Sequence, residues 1–159
     1  MRGEIDILLA GIDDAFSGKS WHGPNLKGSL RGVSAEEAAW RPRPGRHNIW
    51  ELAVHASYWK YAVRRRLLNE KRGSFVLKGS NWFARPQNLT QDAWRDDLRV
   101  LTENHERLRD AIAALDPGQL HKSVPGSRYS CAKLILGVTA HDVYHTGQIT
   151  LIKRLMKSR

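Results

Sequence analysis

Four histidines fall on the apolar side of predicted helices, where helical proteins usually place aliphatic side chains. They are His55, His105 and the pair His141 and His145. The pair has i, i+4 spacing, which places both imidazoles on one helix face about one turn apart. Two imidazoles in that position can bind one transition-metal ion. A third from a facing helix would complete a three-histidine site with one open position.

The burial of these histidines needs an explanation, because an unpaired buried imidazole costs free energy. Metal binding is one explanation. The other is that they are core histidines whose nitrogens are satisfied by hydrogen bonds. The i, i+4 spacing alone does not separate the two, since it also occurs by chance. The pattern therefore gives a hypothesis of a metal site and leaves the simpler structural role open.

Four segments with helical periodicity must position the histidines. Each carries apolar residues at alternating steps of three and four. Asn48 with Glu51, and Thr90 by itself, form plausible N-terminal caps for the second and third of them. The four predicted helices cover about residues 3–17, 48–70, 90–115 and 131–156. No segment has the alternating pattern of a strand, so the sequence predicts an all-α protein.

The connections between these helices are longer than a minimal bundle needs. Residues 18–46 contain several glycines and prolines, which exclude a long helix. A capping-box pattern at Ser34 and Glu37 predicts one short helix there, ending near Trp40. Residues 71–89 form a long surface connection of the kind that lines or covers a site. We therefore expect a single domain over residues 1–159, a four-helix bundle with long crossover loops.

Composition excludes several classes of protein. The chain has 159 residues, enough for one domain with a sizeable core. Its single cysteine, Cys131, excludes an intramolecular disulfide and fits a reducing compartment, so we expect a cytoplasmic protein. Residues 1–16 lack the unbroken apolar core of a secretory signal. No run reaches the roughly 18 apolar residues of a membrane span, so we expect no membrane association.

The chain is strongly basic, with 26 Lys and Arg against 16 Asp and Glu and a net charge of +10. This excess favours acidic partners. Basic residues cluster late in the second and fourth long helices, where the helix dipole also favours cations. Helix-turn-helix, zinc-finger and RNP patterns are absent, so we do not expect nucleic-acid binding. The helix dipole accounts for much of this clustering, and a basic rim that attracts an anionic small-molecule substrate is preferred over nucleic-acid binding.

Two runs of residues resemble the signature of the DinB/YfiT-like superfamily. They are residues 46–55 (RHNIWELAVH) and 141–149 (HDVYHTGQI). The segment that precedes the first run, residues 40–44 (WRPRP), also resembles the family. The resemblance covers most of the chain in order. It implies a four-helix bundle with up-down-down-up connectivity. It also implies a divalent metal ion, often nickel or zinc in relatives, whose ligands by position are His55, His141 and His145.

The resemblance also implies a class of activity. Relatives include thiol-dependent S-transferases and isomerases, and others are described as metal-dependent hydrolases. We therefore expect a metal-dependent enzyme, thiol S-transferase-like or a hydrolase, which in the thiol version uses a low-molecular-weight thiol. The alternative is a non-catalytic metal-binding module that acts in a stress response or binds a partner through its basic surface. Relatives often form dimers, so we expect a homodimer. Trp40, Trp50 and Trp94 are candidates for its face, with a place in the core as the alternative.

Further residues are predicted to support the site. Asp142 and Gln148 can form hydrogen bonds that fix imidazole tautomers, and Tyr144 can donate a proton near a substrate. His105 has no counterpart among the family's ligands and is interpreted as a core histidine, with a place beside the site as the alternative. Arg85 can contact a carboxylate of the thiol or substrate. The candidates for the substrate pocket are Trp59, Trp82, Arg85 and His105.

Overall fold

The computed structural model describes residues 2–158, which form six α-helices and no strand. The long helices are α1 (Arg2–Phe16), α4 (Ile49–Leu67), α5 (Gln91–Ala113) and α6 (Cys131–Lys157). The short ones are α2 (Leu26–Leu30) and α3 (Ala35–Ala39), and a 3₁₀ turn spans Pro117–Gln119. The prediction of an all-α helical bundle is confirmed. Met1 and Arg159, the ends of the predicted domain, lie outside the described residues.

Side-chain caps define where the helices begin. Asn48 accepts a hydrogen bond from the Glu51 amide, and the Glu51 carboxylate accepts one from the Asn48 amide, a complete capping box at the start of α4. Ser34 and Glu37 form the same box at α3. Thr90 caps α5 by accepting from the Ala93 amide. Each cap satisfies amides that have no partner within the first helical turn, and all three predicted caps are confirmed.

Two elements differ from the sequence prediction. Helix α2 was not predicted, because its five residues contain Gly28 and follow the breaker-rich stretch around Pro24. It forms because Asn25 caps it, accepting from the Gly28 amide at 2.7 Å. Helix α4 ends three residues before the predicted boundary at residue 70. Asn69 there has a φ of 53°, a left-handed conformation that ends a helix.

The four long helices pack in a ring. Helix α4 packs against α5 and α6, and α1 packs against the same two helices from the opposite side. One core cluster surrounds Trp50, Trp94 and Ile149, and the other surrounds Leu108 and Ile135. None of the helices within residues 2–158 combines the length and apolar composition that a membrane crossing requires.

Two of the tryptophans that are candidates for a dimer face belong to the core. Trp50 and Trp94 are both 0% exposed, with ring centres 5.1 Å apart. The indole nitrogen of Trp50 donates to Asp97 Oδ2 at 2.6 Å, and that of Trp94 donates to the Val33 carbonyl at 2.7 Å. Of the two alternatives, the core position is the one observed for both, because a bundle core can bury large aromatic area where the indole N–H finds an acceptor. The homodimer itself stays a prediction.

A buried ion pair joins α4 to α6. Lys60 Nζ donates to Asp142 Oδ2, and both side chains are completely buried. The ammonium also lies 5.0 Å from the centre of the Phe16 ring, so α1 covers it. Burial raises the pKa of Asp142 because it disfavours the charged carboxylate, while Lys60 opposes this effect. Each buried charge is therefore stabilised by the other, and because sliding of α4 along α6 would separate them, the pair resists that movement.

Removing one member of this pair should destabilise the bundle strongly. We expect Lys60→Met to lower the free energy of unfolding by about 3–5 kcal/mol, since it leaves the Asp142 carboxylate buried without a partner. Urea denaturation followed by circular dichroism measures the change. The double variant Lys60→Met/Asp142→Leu should recover most of the loss, because an apolar pair often replaces a buried ion pair at little cost. A loss below about 1 kcal/mol in the single variant would contradict the proposed role of the pair.

Candidate metal centre

Three predicted histidines meet at one point between α4 and α6. His55 comes from the N-terminal half of α4, and His141 and His145 from the middle of α6. His141 Nε2 lies 3.0 Å from His55 Nε2 and 3.0 Å from His145 Nε2. His55 and His145 are buried and His141 is half-buried. Because metal–imidazole bonds are about 2.0–2.1 Å long, nitrogens this close together can share one ion.

Hydrogen bonds on the outer side of two rings set their tautomers. His55 Nδ1 donates to the Asn81 carbonyl at 2.7 Å, and His145 Nδ1 donates to Gln148 Oε1 at 2.6 Å. An oxygen of this kind only accepts, so both Nδ1 atoms carry the hydrogen. The neutral rings therefore direct their Nε2 lone pairs toward the centre, as imidazole ligands of metals do.

The central contacts fit a cation better than a purely hydrogen-bonded core. His141 Nε2 faces the Nε2 lone pairs of both other rings, but it can carry only one hydrogen and satisfy only one of them. Its Nδ1 is buried and has no hydrogen-bond partner among the described residues. A cation at the centre would be contacted by all three lone pairs at once. The geometry thus favours the metal-site interpretation over the structural one that the sequence left open.

Burial also keeps the three rings in the state that binds metal. It lowers the pKa of His55 to about 4 and that of His141 to about 3, and repulsion between the histidines adds to the effect. Burial lowers the pKa of His145 as well. All three imidazoles are therefore neutral at pH 7, so no proton competes with a metal ion for Nε2.

The connection between α4 and α5 covers one side of the site. The Trp82 ring stacks on His55 at 3.7 Å and on His47 at 3.6 Å, with the planes within 5° of parallel in both contacts. Asn81 supplies the carbonyl that His55 donates to, and its Oδ1 accepts from Trp59 Nε1 at 2.9 Å. Asn81 has a φ of 68°, in the left-handed region that asparagine tolerates. The loop therefore orients one proposed ligand and shields it from water.

The three residues predicted to support the imidazoles, Gln148, Tyr144 and Asp142, differ in their contacts with the rings. Gln148 contacts His145 directly, as described. Tyr144 is 65% exposed, and its ring centre lies 5.1 Å from that of His145. Asp142 forms no hydrogen bond to the three imidazoles among the described residues, because its Oδ2 accepts from Lys60 and its Oδ1 has no partner. Gln148 is thus the member of this group that orients an imidazole.

Of the four pocket candidates, two lie beside the histidines. Trp59 lies 6.3 Å from His141 between ring centres, and Trp82 covers His55. Arg85 donates through Nε to Asp97 Oδ2 at 2.8 Å, so its charge is paired with a carboxylate of α5. His105 stacks on Phe16 at 3.7 Å and is 4% exposed, which agrees with its interpretation as a core histidine. The structure does not bring Arg85 or His105 to the three histidines.

Asn81 could not be predicted from the sequence as a partner of His55. Its contribution is a backbone carbonyl, which every residue possesses, and so no side-chain signal identifies it. His47 is a second residue near the site whose contacts could not be predicted from the sequence. It stacks on Trp82, and its Nδ1 lies 3.1 Å from Glu51 Oε2. A histidine preceding the cap by one residue carries no pattern that predicts this packing.

One comparison with known proteins identifies a family. A family model described as the DinB superfamily matches residues 20–149, most of the chain. The matched span includes all three histidines of the site. No curated protein and no solved structure shows a significant match. The similarity found is therefore to a protein family and not to an individual protein.

Loss of the Gln148 acceptor should weaken metal binding without removing a ligand. We expect Gln148→Leu to lower zinc affinity by about 10–100-fold, because the His145 ring would lose the hydrogen bond that orients it. Competition with a chromophoric chelator measures the affinity. Gln148→Glu keeps an oxygen acceptor and serves as the matched control, with affinity at or above wild type. Equal affinity of the leucine and wild-type proteins would contradict the orienting role.

Proposed function

The chain belongs to the DinB superfamily, and from that premise we propose a metal-dependent enzyme whose divalent ion is held by His55, His141 and His145. The observation that carries the proposal is the convergence of three Nε2 atoms, two of them on rings whose Nδ1 atoms donate outward. Members of the superfamily bind divalent metal ions. Nickel or zinc is the proposed ion, since neutral imidazoles suit both.

Three protein ligands favour a catalytic over a structural site. Structural zinc sites are closed by four protein ligands, whereas catalytic sites keep a position open for substrate. The described residues offer no fourth His, Cys, Asp or Glu atom to the group. His141 is half-buried and borders a cavity, so a small molecule can reach the centre from that side.

The proposed reaction is thiol S-transfer or hydrolysis. When bound, the ion would supply Lewis acidity, lowering the pKa of a low-molecular-weight thiol or a water at the open position. The chain's own residues would bind the ion and orient its imidazole ligands. Gln148 and the Asn81 carbonyl hold two rings at fixed angles, and Trp82 excludes water from one face of His55. Since the single cysteine, Cys131, is free and buried, we also propose a reducing, cytoplasmic location.

The second candidate is a non-catalytic metal-binding module that acts in a stress response or engages a partner. The net charge of +10 favours it, because such an excess of cations attracts acidic surfaces. In that case the ion would be structural, and its coordination would not respond to added ligands. The two candidates thus differ in whether an outside molecule reaches the ion.

Metal content tests the proposed ligands. Protein purified without added metal should contain about one equivalent of a divalent transition metal by mass spectrometry, as expected for one three-imidazole site. His55→Ala, His141→Ala and His145→Ala should each lose most of it. His22→Ala, at an exposed position outside the group, is the matched control and should retain it. Equal metal content in all five proteins would remove the proposed site.

Cobalt substitution tests the open position. We expect the visible spectrum of the cobalt protein to change when a small thiol is added, because a thiolate that joins the ion alters its ligand field. Trp82→Ala provides a comparison in which the cover of His55 is removed but the ligands remain. An unchanged spectrum at saturating thiol would argue against the S-transferase reaction and favour the closed, structural role.

A further inference from the structure

A groove between α4 and α6 ends at His141. It has a volume of about 450 Å³ and is lined by the C-terminal half of α4, the N-terminal half of α6 and Tyr129 of the preceding loop. Its walls are mainly apolar, with Trp59 and Val63 on one side and Leu134 and Val138 on the other. A surface of this kind favours a ligand with an apolar body.

The charged or ionisable side chains of the groove, apart from Tyr129, are Arg66, Lys133 and His141. Along α6, Lys133, Gly137 and His141 follow at four-residue steps and share one helix face. At about 1.5 Å per residue, Lys133 lies roughly 12 Å from His141 along the helix axis. On α4, Trp59 is beside His141 and Arg66 lies two turns further on. The backbones of Lys133 and Arg66 therefore lie at the end remote from the imidazoles, and the Arg66 side chain turns back over the Trp59 ring.

These two cations have no acidic partner. No aspartate or glutamate lines the groove, and within residues 2–158 neither Arg66 nor Lys133 forms an ion pair. The Arg66 guanidinium instead lies 5.7 Å from the centre of the Trp59 ring. Burial lowers the pKa of Arg66, and repulsion from Arg65 and Arg72 adds to this. An anion at this end of the groove would relieve that repulsion and form charge-assisted hydrogen bonds.

The geometry points to an elongated organic anion as the substrate of the metal site. Its apolar body would lie along Trp59, Val63 and Leu134, and one carboxylate or other anionic group would contact Arg66 and Lys133. The reacting end would then reach His141. That this end of the ligand reacts rests on the proposed function. Binding of the apolar body and of the anionic group depends on the groove alone.

Gly137 keeps the floor of the groove clear. A Cβ placed on it would meet no heavy atom within 4 Å, so a side chain can begin there without a clash. Replacing a glycine within a helix also raises helix propensity. Gly137→Leu should therefore fill part of the groove while the bundle remains folded, and it leaves all three histidines in place.

Calorimetric titration with a simple probe pair tests the assignment. The probes are 4-phenylbutyrate and its uncharged analogue 4-phenylbutan-1-ol. We expect wild type to prefer the carboxylate, and Arg66→Gln/Lys133→Gln to weaken carboxylate binding by about tenfold while alcohol binding changes by less than about twofold. Gly137→Leu should weaken both probes. Arg154→Gln/Lys157→Gln, which removes two exposed charges from the far end of α6, is the matched control and should behave as wild type.

Several outcomes would overturn the inference. They are no measurable binding of 4-phenylbutyrate to wild type, equal carboxylate affinity in the Arg66/Lys133 variant, and full binding of both probes by Gly137→Leu. The titration is repeated with His55→Ala, which changes a proposed ligand but no residue of the groove lining. If this variant still binds the carboxylate, the groove binds the anion independently of the metal ion. If this variant still contains metal, the proposed set of metal ligands is refuted, and the inference about the groove is unaffected.

Discussion

Burial of opposite charges between two helices is the constraint on which the site depends. Lys60 and Asp142 have no access to water and satisfy each other across α4 and α6. Lys60 follows His55 by five residues, and Asp142 is next to His141. Any slide of one helix along the other would separate the charges in a medium that penalises them strongly. The pair therefore helps to hold the register in which His55 faces His141.

The second constraint acts through a segment without regular structure. Residues 73–89 bring Asn81 and Trp82 to the histidines, and the segment is anchored at both ends. Near its start, the Tyr61 hydroxyl accepts from the Gly73 and Ser74 amides. Near its end, Arg85 pairs with Asp97, and the Arg85 carbonyl accepts from Asn48 Nδ2 at 2.9 Å. A long loop fixed in this way can orient a ligand, because hydrogen bonds and an ion pair hold both of its ends.

Local rules allowed much of the fold to be predicted from the sequence. The caps at Ser34, Asn48 and Thr90 and the apolar periodicity placed three helices, because both signals act over a few residues. The i, i+4 pair on α6 and its hydrogen-bonded Gln148 could be identified for the same reason. Long-range contacts could not be predicted in this way. Nothing in the sequence around Asn81, Arg85 or Lys60 shows which distant group each side chain or carbonyl meets, and the burial of Trp50 and Trp94 depends on acceptors supplied by Asp97 and Val33.

Different faces of helix α6 have different roles. His145 and Ile149 point into the bundle, whereas Lys133 and Gly137 are exposed and border the groove. Substitutions at the exposed positions change the groove's shape and charge but create no void in the core, and such changes usually cost little stability. In the role proposed above for the groove, ligand preference can therefore change through a few surface replacements while the three histidines and the bundle stay the same, so that selectivity is separable from folding.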